Sequence, residues 1–407
     1  MEEALMNIAI LGTGISGVTL ALRLQQLGVD TTLFAERSPD EIRTGRLENL
    51  VARFPATRER ERLLGVSHWD DERTLTRGID VAVVGTPLHF AGRVDAPAQA
   101  VDFRLYLSRL LEDYADRGGE LRVEPGAMDP HDLCARTAGR DLVVVAAGRG
   151  SDLGTLFPVD SRRSPYRIPQ RRLIGGICTG IAPTDPPVVS FTIAPRAGEI
   201  FSQPILTTSG VAASFLIEAI PGSPLERITH HDTADLNGLA GALLDVFDEF
   251  APALANRIDP SAFALLGPND VISGAITPTV RQMSTRLSDG RLALAIGDAW
   301  TLNDPVLGQG ANIGSHSAWT LAQAIAANPP LNEAFAQHIE DELWSFAGPI
   351  TALTNAFLQP PPPHILDLLA AATANQSVAD TFAAGFADPV MLAHTLLDPA
   401  HNLPVSA

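Results

Sequence analysis

The hydrophobic pattern at the start of the chain predicts a strand, a tight turn, a helix and a second strand. An apolar run from Asn7 to Leu11 leads into Gly12-Thr13-Gly14-Ile15-Ser16-Gly17, and apolar residues then recur at helical spacing through Leu20, Leu24 and Leu27 up to Gly28. A second apolar run, Thr31 to Ala35, stops at Glu36. Further on, Phe103, Leu107, Leu110, Leu111 and Tyr114 mark one face of a helix between Asp102 and Arg117. Asp141 to Ala147 reads as a fully buried strand ending at Gly148. From about Ser164 to Leu266 the texture changes to short strand-like runs, such as 188–193 and 212–217, punctuated by Gly and Pro. Leu292 to Ile296 returns to the first texture and precedes a helix from about Gly310 to Ala327. The tail after Pro330 is mostly helical, with Pro360 to Pro363 extended because proline cannot continue a helix.

Glycine at 12, 14 and 17, between a strand and a helix, lets backbone approach a pyrophosphate at the positive end of the helix. Glu36, closing the second strand, is placed to accept hydrogen bonds from a ribose diol. A second motif follows far downstream: Gly297-Asp298 after a strand, then Asp304-Pro305-Val306-Leu307-Gly308-Gln309-Gly310-Ala311-Asn312 at the mouth of a helix. An aspartate at a strand end can hold the ribityl chain of a flavin, and a glycine-rich helix start favours negative charge on the reduced ring. The two motifs together point to FAD rather than NAD. The expected fold is α/β. A Rossmann-like FAD-binding domain occupies 1–163 and 267–330, an inserted β-sheet domain for substrate occupies 164–266, and a helical C-terminal segment runs over 331–407.

Composition narrows the chemistry. With 45% hydrophobic and 19% charged residues over 407 positions, the chain can bury a sizeable core, and no apolar run is long enough to cross a membrane. A formal charge of −18 argues against nucleic acid and anionic membrane surfaces as partners. The chain contains no lysine, which excludes Schiff-base chemistry, pyridoxal phosphate anchoring and a P-loop. Met1 to Met6 lacks the basic start of a secretory signal, so a cytoplasmic protein is expected. Cys134 and Cys178 have no metal-binding spacing and read as buried thiols. His230-His231 with Asp232 reads as solvated loop, since adjacent histidines cannot share a face, and no metal site is expected. Trp300 reads as core. The run Arg162, Arg163, Arg167, Arg171 and Arg172 reads as ion-paired surface or as a guide for an anionic flavin or an acidic partner.

These motifs resemble the styrene and indole monooxygenases, two-component FAD enzymes with a fold like that of para-hydroxybenzoate hydroxylase. The resemblance is carried by Gly12 to Gly17, Arg46-Leu47 with Asn49 and Val51, Ala96-Pro97 through Ala100 to Tyr106, Ser164-Pro165, Pro169 to Arg171, Arg257 to Pro260, Gly297-Asp298 and Asp304 to Asn312. It implies that a separate NADH-dependent reductase delivers reduced FAD to this chain. Reaction with O2 would form a hydroperoxyflavin that transfers one oxygen atom to a small apolar aromatic alkene. It assigns the cofactor to Gly12, Thr13, Gly14, Ile15, Ser16, Gly17, Glu36, Arg37, Arg46, Arg104, Gly148, Asp298, Pro305, Gly308, Gly310, Ala311 and Asn312. Arg46 and Asn49 lie beside the reacting centre, and the substrate pocket takes in Asn49, Val51, Arg53, Ile79 and Ala98. A homodimer is expected from the same resemblance. Two other readings stay open at this point: a one-component hydroxylase that oxidises NAD(P)H itself, and a non-catalytic FAD-fold binding protein.

The styrene branch carries Asn-x-Val-x-His after the flavin arginine and the indole branch Ser-x-Gln-x-Met. This chain has Asn49, Val51 and Arg53, while Ile79 and Ala98 are closer to the indole branch. A mixed fingerprint predicts a tolerant pocket that takes styrene-like alkenes, indole or a larger aromatic. Arg53 at its edge must face solvent or pair with a polar group.

Overall fold

The computed structural model describes residues 6–126 and 128–398; Met1 to Leu5 and the last residues of the tail lie outside them. The first texture becomes a six-stranded sheet in the order Ser284–Arg286, Leu292–Ala295, Leu142–Val145, Asn7–Leu11, Asp30–Ala35, Glu120–Val123. Its pairings are parallel apart from the first. Ile8 stands opposite Thr31 on one side and Leu142 on the other, so the central strands have neighbours on both edges. Helices cover the faces, which is why Leu142 to Val145 are apolar without alternation and fully buried. The helices Ile15–Gln26 and Gly310–Ala326 pack closely where Ser16 meets a glycine. A Cβ on Gly314 would sit 2.3 Å from the Ser16 Oγ.

The second sheet corrects the expected domain boundary. Eight strands run in the order Ala264–Leu265, Arg172–Thr179, Gly210–Ala219, Gly198–Thr207, Val189–Ala194, Leu75–Val83, His89–Val101, Ala52–Arg53, and Val271–Ala275 pairs beside Arg172–Thr179 as the ninth. Three of these strands precede Ser164 and one follows Leu266, so the sheet is not a single insertion. It is completed by the parallel pairing of Ile79 with Val189, a contact between segments far apart in sequence.

The tail folds as helices Glu333–Phe357, Pro363–Ala374, Gln376–Gly385 and Pro389–Leu397. Pro363 is not extended. It opens a helix, where its fixed φ and missing N–H are tolerated. The helix Glu333–Phe357 runs through Pro349. Far from being an appendage, the tail packs Phe382, Phe386 and Leu392 into one cluster with Ile79, Phe90, Phe191 and Leu307. Gly92 permits this approach, because a Cβ there would lie 2.1 Å from the Ala379 carbonyl oxygen. No helix among the described residues is long and apolar enough to cross a membrane.

Cys178 is buried, and burial pushes its thiol up to about 12; Cys134 is only half-buried, short of the expectation. Trp300 is fully buried beside Trp344. His230 and His231 are exposed, and no metal-ligating cluster occurs among the described residues. The arginine run does not form one patch: Arg171 is buried against Glu199, Arg163 pairs with Glu340 over the Trp344 ring, and Arg162, Arg167 and Arg172 face solvent.

Candidate active site

The first glycines have separate steric duties. Gly12 has φ +111°, and a Cβ on it would strike the Ala146 carbonyl oxygen at 2.6 Å, so it lets the turn cross the end of the neighbouring strand. A Cβ on Gly17 would lie 1.9 Å from the Gly12 carbonyl oxygen. Gly14 differs, since nothing lies within 4 Å of its Cβ position. It caps the helix with extended backbone and no side-chain bond, leaving the first-turn N–H groups to an outside acceptor. Thr13 is half-buried beside it, while Ile15 and Ser16 are buried. Glu36 is exposed at the end of its strand, and Arg37 pairs with Glu48. Gly148 also borders open space.

Across this opening, Gly297 takes φ +61° and sets Asp298 at the start of a short turn. The Asp298 side chain reaches solvent but is walled by protein mass, and this burial pushes its carboxyl up to about 6 against the opposing pull of Arg149. Asp304 accepts from the Val306 N–H (3.2 Å) and caps the turn Pro305–Leu307. Gly308 follows with φ +63°, and Gly310 begins a helix of 17 residues that has no side-chain cap. Neither glycine has an atom within 4 Å of its Cβ position, so both leave the helix start open. A cradle free at Gly14, an uncapped helix start after Gly308 and a half-walled carboxylate between them fit a dinucleotide flavin.

Pro305 and Gly308 also line an apolar cavity of about 880 Å³ including its mouth. Of the residues expected at a substrate pocket, Val51, Ile79 and Ala98 line this cavity, and Asn49 and Arg53 do not. Asn49 is exposed, its Oδ1 accepting from the Leu50 N–H, and Arg46 is exposed on the same segment. Arg53 is buried behind the wall, paired with Glu61 and donating to the Gln99 Oε1 (2.8 Å). The expected pairing is there, but the side chain is not part of the pocket. Two residues expected at the cofactor have their side chains committed to the protein. Asn312 has its side chain fully engaged by protein: Oδ1 accepts from the Phe54 N–H and the Thr57 hydroxyl, and Nδ2 donates to the Ala52 and Gly308 carbonyls. Arg104 is locked between Asp102 and Asp270, which hold its guanidinium above its ordinary range despite burial. Both residues fasten the segments that shape the site. Ala311 is buried below them.

Sequence reading missed part of the lining. Phe191 and Phe201 stack at 4.6 Å on adjacent strands, and Gln203 and Leu216 share their sheet face. Ala383, Phe386 and Ala387 come from the tail. The Gln309 Nε2 donates to the Phe386 carbonyl (3.0 Å), tying the glycine loop to that tail. Alternation of Phe201 and Gln203 could have flagged the strand, but nothing local in 383–387 signals a pocket.

Residues 148–257 match the family model of the styrene monooxygenase A substrate-binding domain. Styrene monooxygenase StyA of Pseudomonas fluorescens is 34% identical over 390 residues, covering 94% of this chain and 93% of that protein. Among solved structures, the flavin-dependent brominase Bmp2 superposes with a TM-score of 0.65 at 15% identity, covering 95% of this chain and 98% of that one. The myxobacterial chondrochloren halogenase CndH, a FAD-dependent halogenase, gives 0.66 at 15% identity over 96% and 97%. At that identity the two structures speak for the fold alone. The first relative, similar from end to end, decides the family: this chain belongs to the styrene monooxygenases and is a flavin-dependent monooxygenase.

Proposed function

We propose that this chain takes reduced FAD from a separate NADH-dependent reductase and uses O2 to oxidise the carbon–carbon double bond of a small aromatic such as styrene or indole. The carrying observation is that one apolar cavity shares Pro305 and Gly308 with the loop that would hold the flavin. Reduced FAD, when bound, would supply the oxygen activation and the two electrons: one O2, the alkene and reduced FAD give the epoxide, water and oxidised FAD. The chain's own residues bind and exclude. Gly14 and the uncapped helix ends receive the anionic parts of the cofactor, Asp298 accepts from ribityl hydroxyls, and Val51, Ile79, Ala98 and Phe386 keep water from the reacting carbons. The test is product analysis after supplying reductase, NADH, FAD and O2 with styrene or indole. Peroxide release without epoxide or indigo would sink the substrate assignment while sparing the flavin chemistry.

Gly14→Val, filling the open cradle, and Asp298→Ala, deleting the acceptor, should each weaken FAD binding by about 1–3 kcal/mol. Unchanged titrations for both would overturn the cofactor site. Burial pushes the Asp298 carboxyl up to about 6, and its ionised form, the stronger acceptor for ribityl hydroxyls, prevails only above that value. Affinity should therefore fall as pH drops below that value, by up to about tenfold per pH unit, and Asp298→Asn should abolish the slope. Reduced FAD should bind more tightly than oxidised FAD at the helix start after Gly308, as anaerobic titration of both forms will show.

A further inference from the structure

The floor of the cavity is one face of the second sheet, where Phe201 and Gln203 of one strand lie beside Leu216 and Ser214 of the next. Nearly everything on this floor is apolar, and the Ser214 hydroxyl is already engaged, donating to the Gln203 backbone carbonyl (3.2 Å). Gln203 stands apart. Its side-chain Oε1 is shielded from solvent and accepts no hydrogen bond from the protein. A strand whose neighbours are Phe, Leu and Ile would accommodate Leu or Met here at no polar cost, whereas an amide oxygen taken out of water without a donor is destabilising. The Thr76 hydroxyl, also lining the cavity, is likewise without a partner.

From this juxtaposition we propose that Gln203 is a specificity-determining residue whose side-chain carbonyl, once its amide turns toward the cavity, receives an N–H or O–H of the substrate. The site would thereby select an aromatic ring bearing a hydrogen-bond donor over a hydrocarbon of the same shape. The proposal rests on the reading of the cavity as the aromatic-substrate site. An apolar pocket discriminates little between shapes that differ by one group, but a buried polar acceptor rejects the analogue that leaves it unpaired far more strongly. The donor end of the ring is then held at the sheet floor.

Indole and indene test this directly, because CH2 replaces N–H in an otherwise similar bicycle. kcat/KM for both is measured with reductase, NADH and O2, and equilibrium binding of both to the flavin-free protein is measured by calorimetry, in the wild type, Gln203→Leu and Gln203→Met. The intrinsic reactivities of the two rings cancel when the indole-to-indene ratio is compared between variants. Both substitutions should lower that ratio at least tenfold, chiefly through loss of indole, with indene unchanged or improved. An unchanged ratio in two variants that unfold like the wild type would overturn the proposal and leave the aromatic-monooxygenase reading standing. If the wild type binds neither ring, both fall together. Turnover without peroxide leak in the variants would further separate a lost contact from a damaged site.

Discussion

Replacing Arg53 by alanine is expected to cost the fold about 3–5 kcal/mol, a large share of the stability of an ordinary domain. Arg53 is 1% exposed. It pairs with Glu61, donates to Gln99 and lies over the Tyr106 ring at 4.8 Å, while the Tyr106 hydroxyl donates to the other Glu61 oxygen at 2.8 Å. The Gln99 Nε2 in turn donates to the Thr74 hydroxyl, so each partner is itself fixed. Removing the guanidinium leaves the Glu61 carboxylate buried without a counter-charge, which is worse than having neither group. The double variant Arg53→Met with Glu61→Leu should therefore recover much of the loss. Denaturant unfolding of Arg53→Ala, Arg53→Met, Glu61→Leu and the double variant measures this; an Arg53→Ala protein as stable as the wild type would refute it. Because Arg53 does not line the cavity, Arg53→Met with Glu61→Leu should keep the wild-type preference between styrene and indole.

Glu218→Gln is expected to flatten the decline of stability as pH rises above the ordinary carboxyl value. Glu218 is wholly buried near Asp304, Glu199 and Arg171, a set with one cation. Arg171 is committed to Glu199 by two bonds, Nε to Oε2 at 2.7 Å and Nη2 to Oε1 at 2.9 Å. Burial, with repulsion from Asp304, pushes the Glu218 carboxyl well above the usual carboxylate range, and a protonated Glu218 donates to Asp304. The folded state thus keeps a proton that the unfolded chain releases above its ordinary carboxyl value. Its stabilisation is complete in acid and is lost as pH rises through the folded value, at about 1.4 kcal/mol for each pH unit that separates the folded carboxyl from the unfolded one. Glutamine donates an N–H in place of that O–H without titrating. The variant should match the wild type below about pH 4 and exceed it by a growing margin as pH rises above the ordinary carboxyl value, read from unfolding midpoints; parallel pH profiles would refute this. Arg171→Ala, which strands Glu199, should lose about 3–5 kcal/mol at neutral pH.

What could be read from the sequence was local. The strand Asn7–Leu11, the glycine turn and the helix Ile15–Gln26 lie within one continuous stretch; Gly17 is required by the Gly12 carbonyl and Gly12 by the adjacent strand end, while Gly14 faces open space. The same holds for Asp304 to Gly310, where a capping side chain, a proline and a left-handed glycine form one loop. Arg53 shows where such reading stops. Its charge requires a partner, but Glu61 is presented by the following helix and Gln99 by a strand far along the chain, so only assembly decides that the side chain turns inward. Asn312 and Arg104 carry the right chemistry for a cofactor and spend it on the scaffold, because their nearest neighbours in space are carbonyls and carboxylates from distant segments.

Periodicity and glycine geometry act over one turn or one strand, which is why the strand–turn–helix at Asn7–Gln26 and the loop from Asp304 to Gly310 were legible locally. Non-local packing brings Leu75–Val83 against Val189–Ala194 and adds Ala383 and Phe386 of the tail to the lining of the cavity. It also left the Gln203 carbonyl as an orphan in an apolar floor. These are outcomes of non-local packing, in which an apolar face is satisfied by any partner of suitable shape and the chain's topology chooses which one arrives.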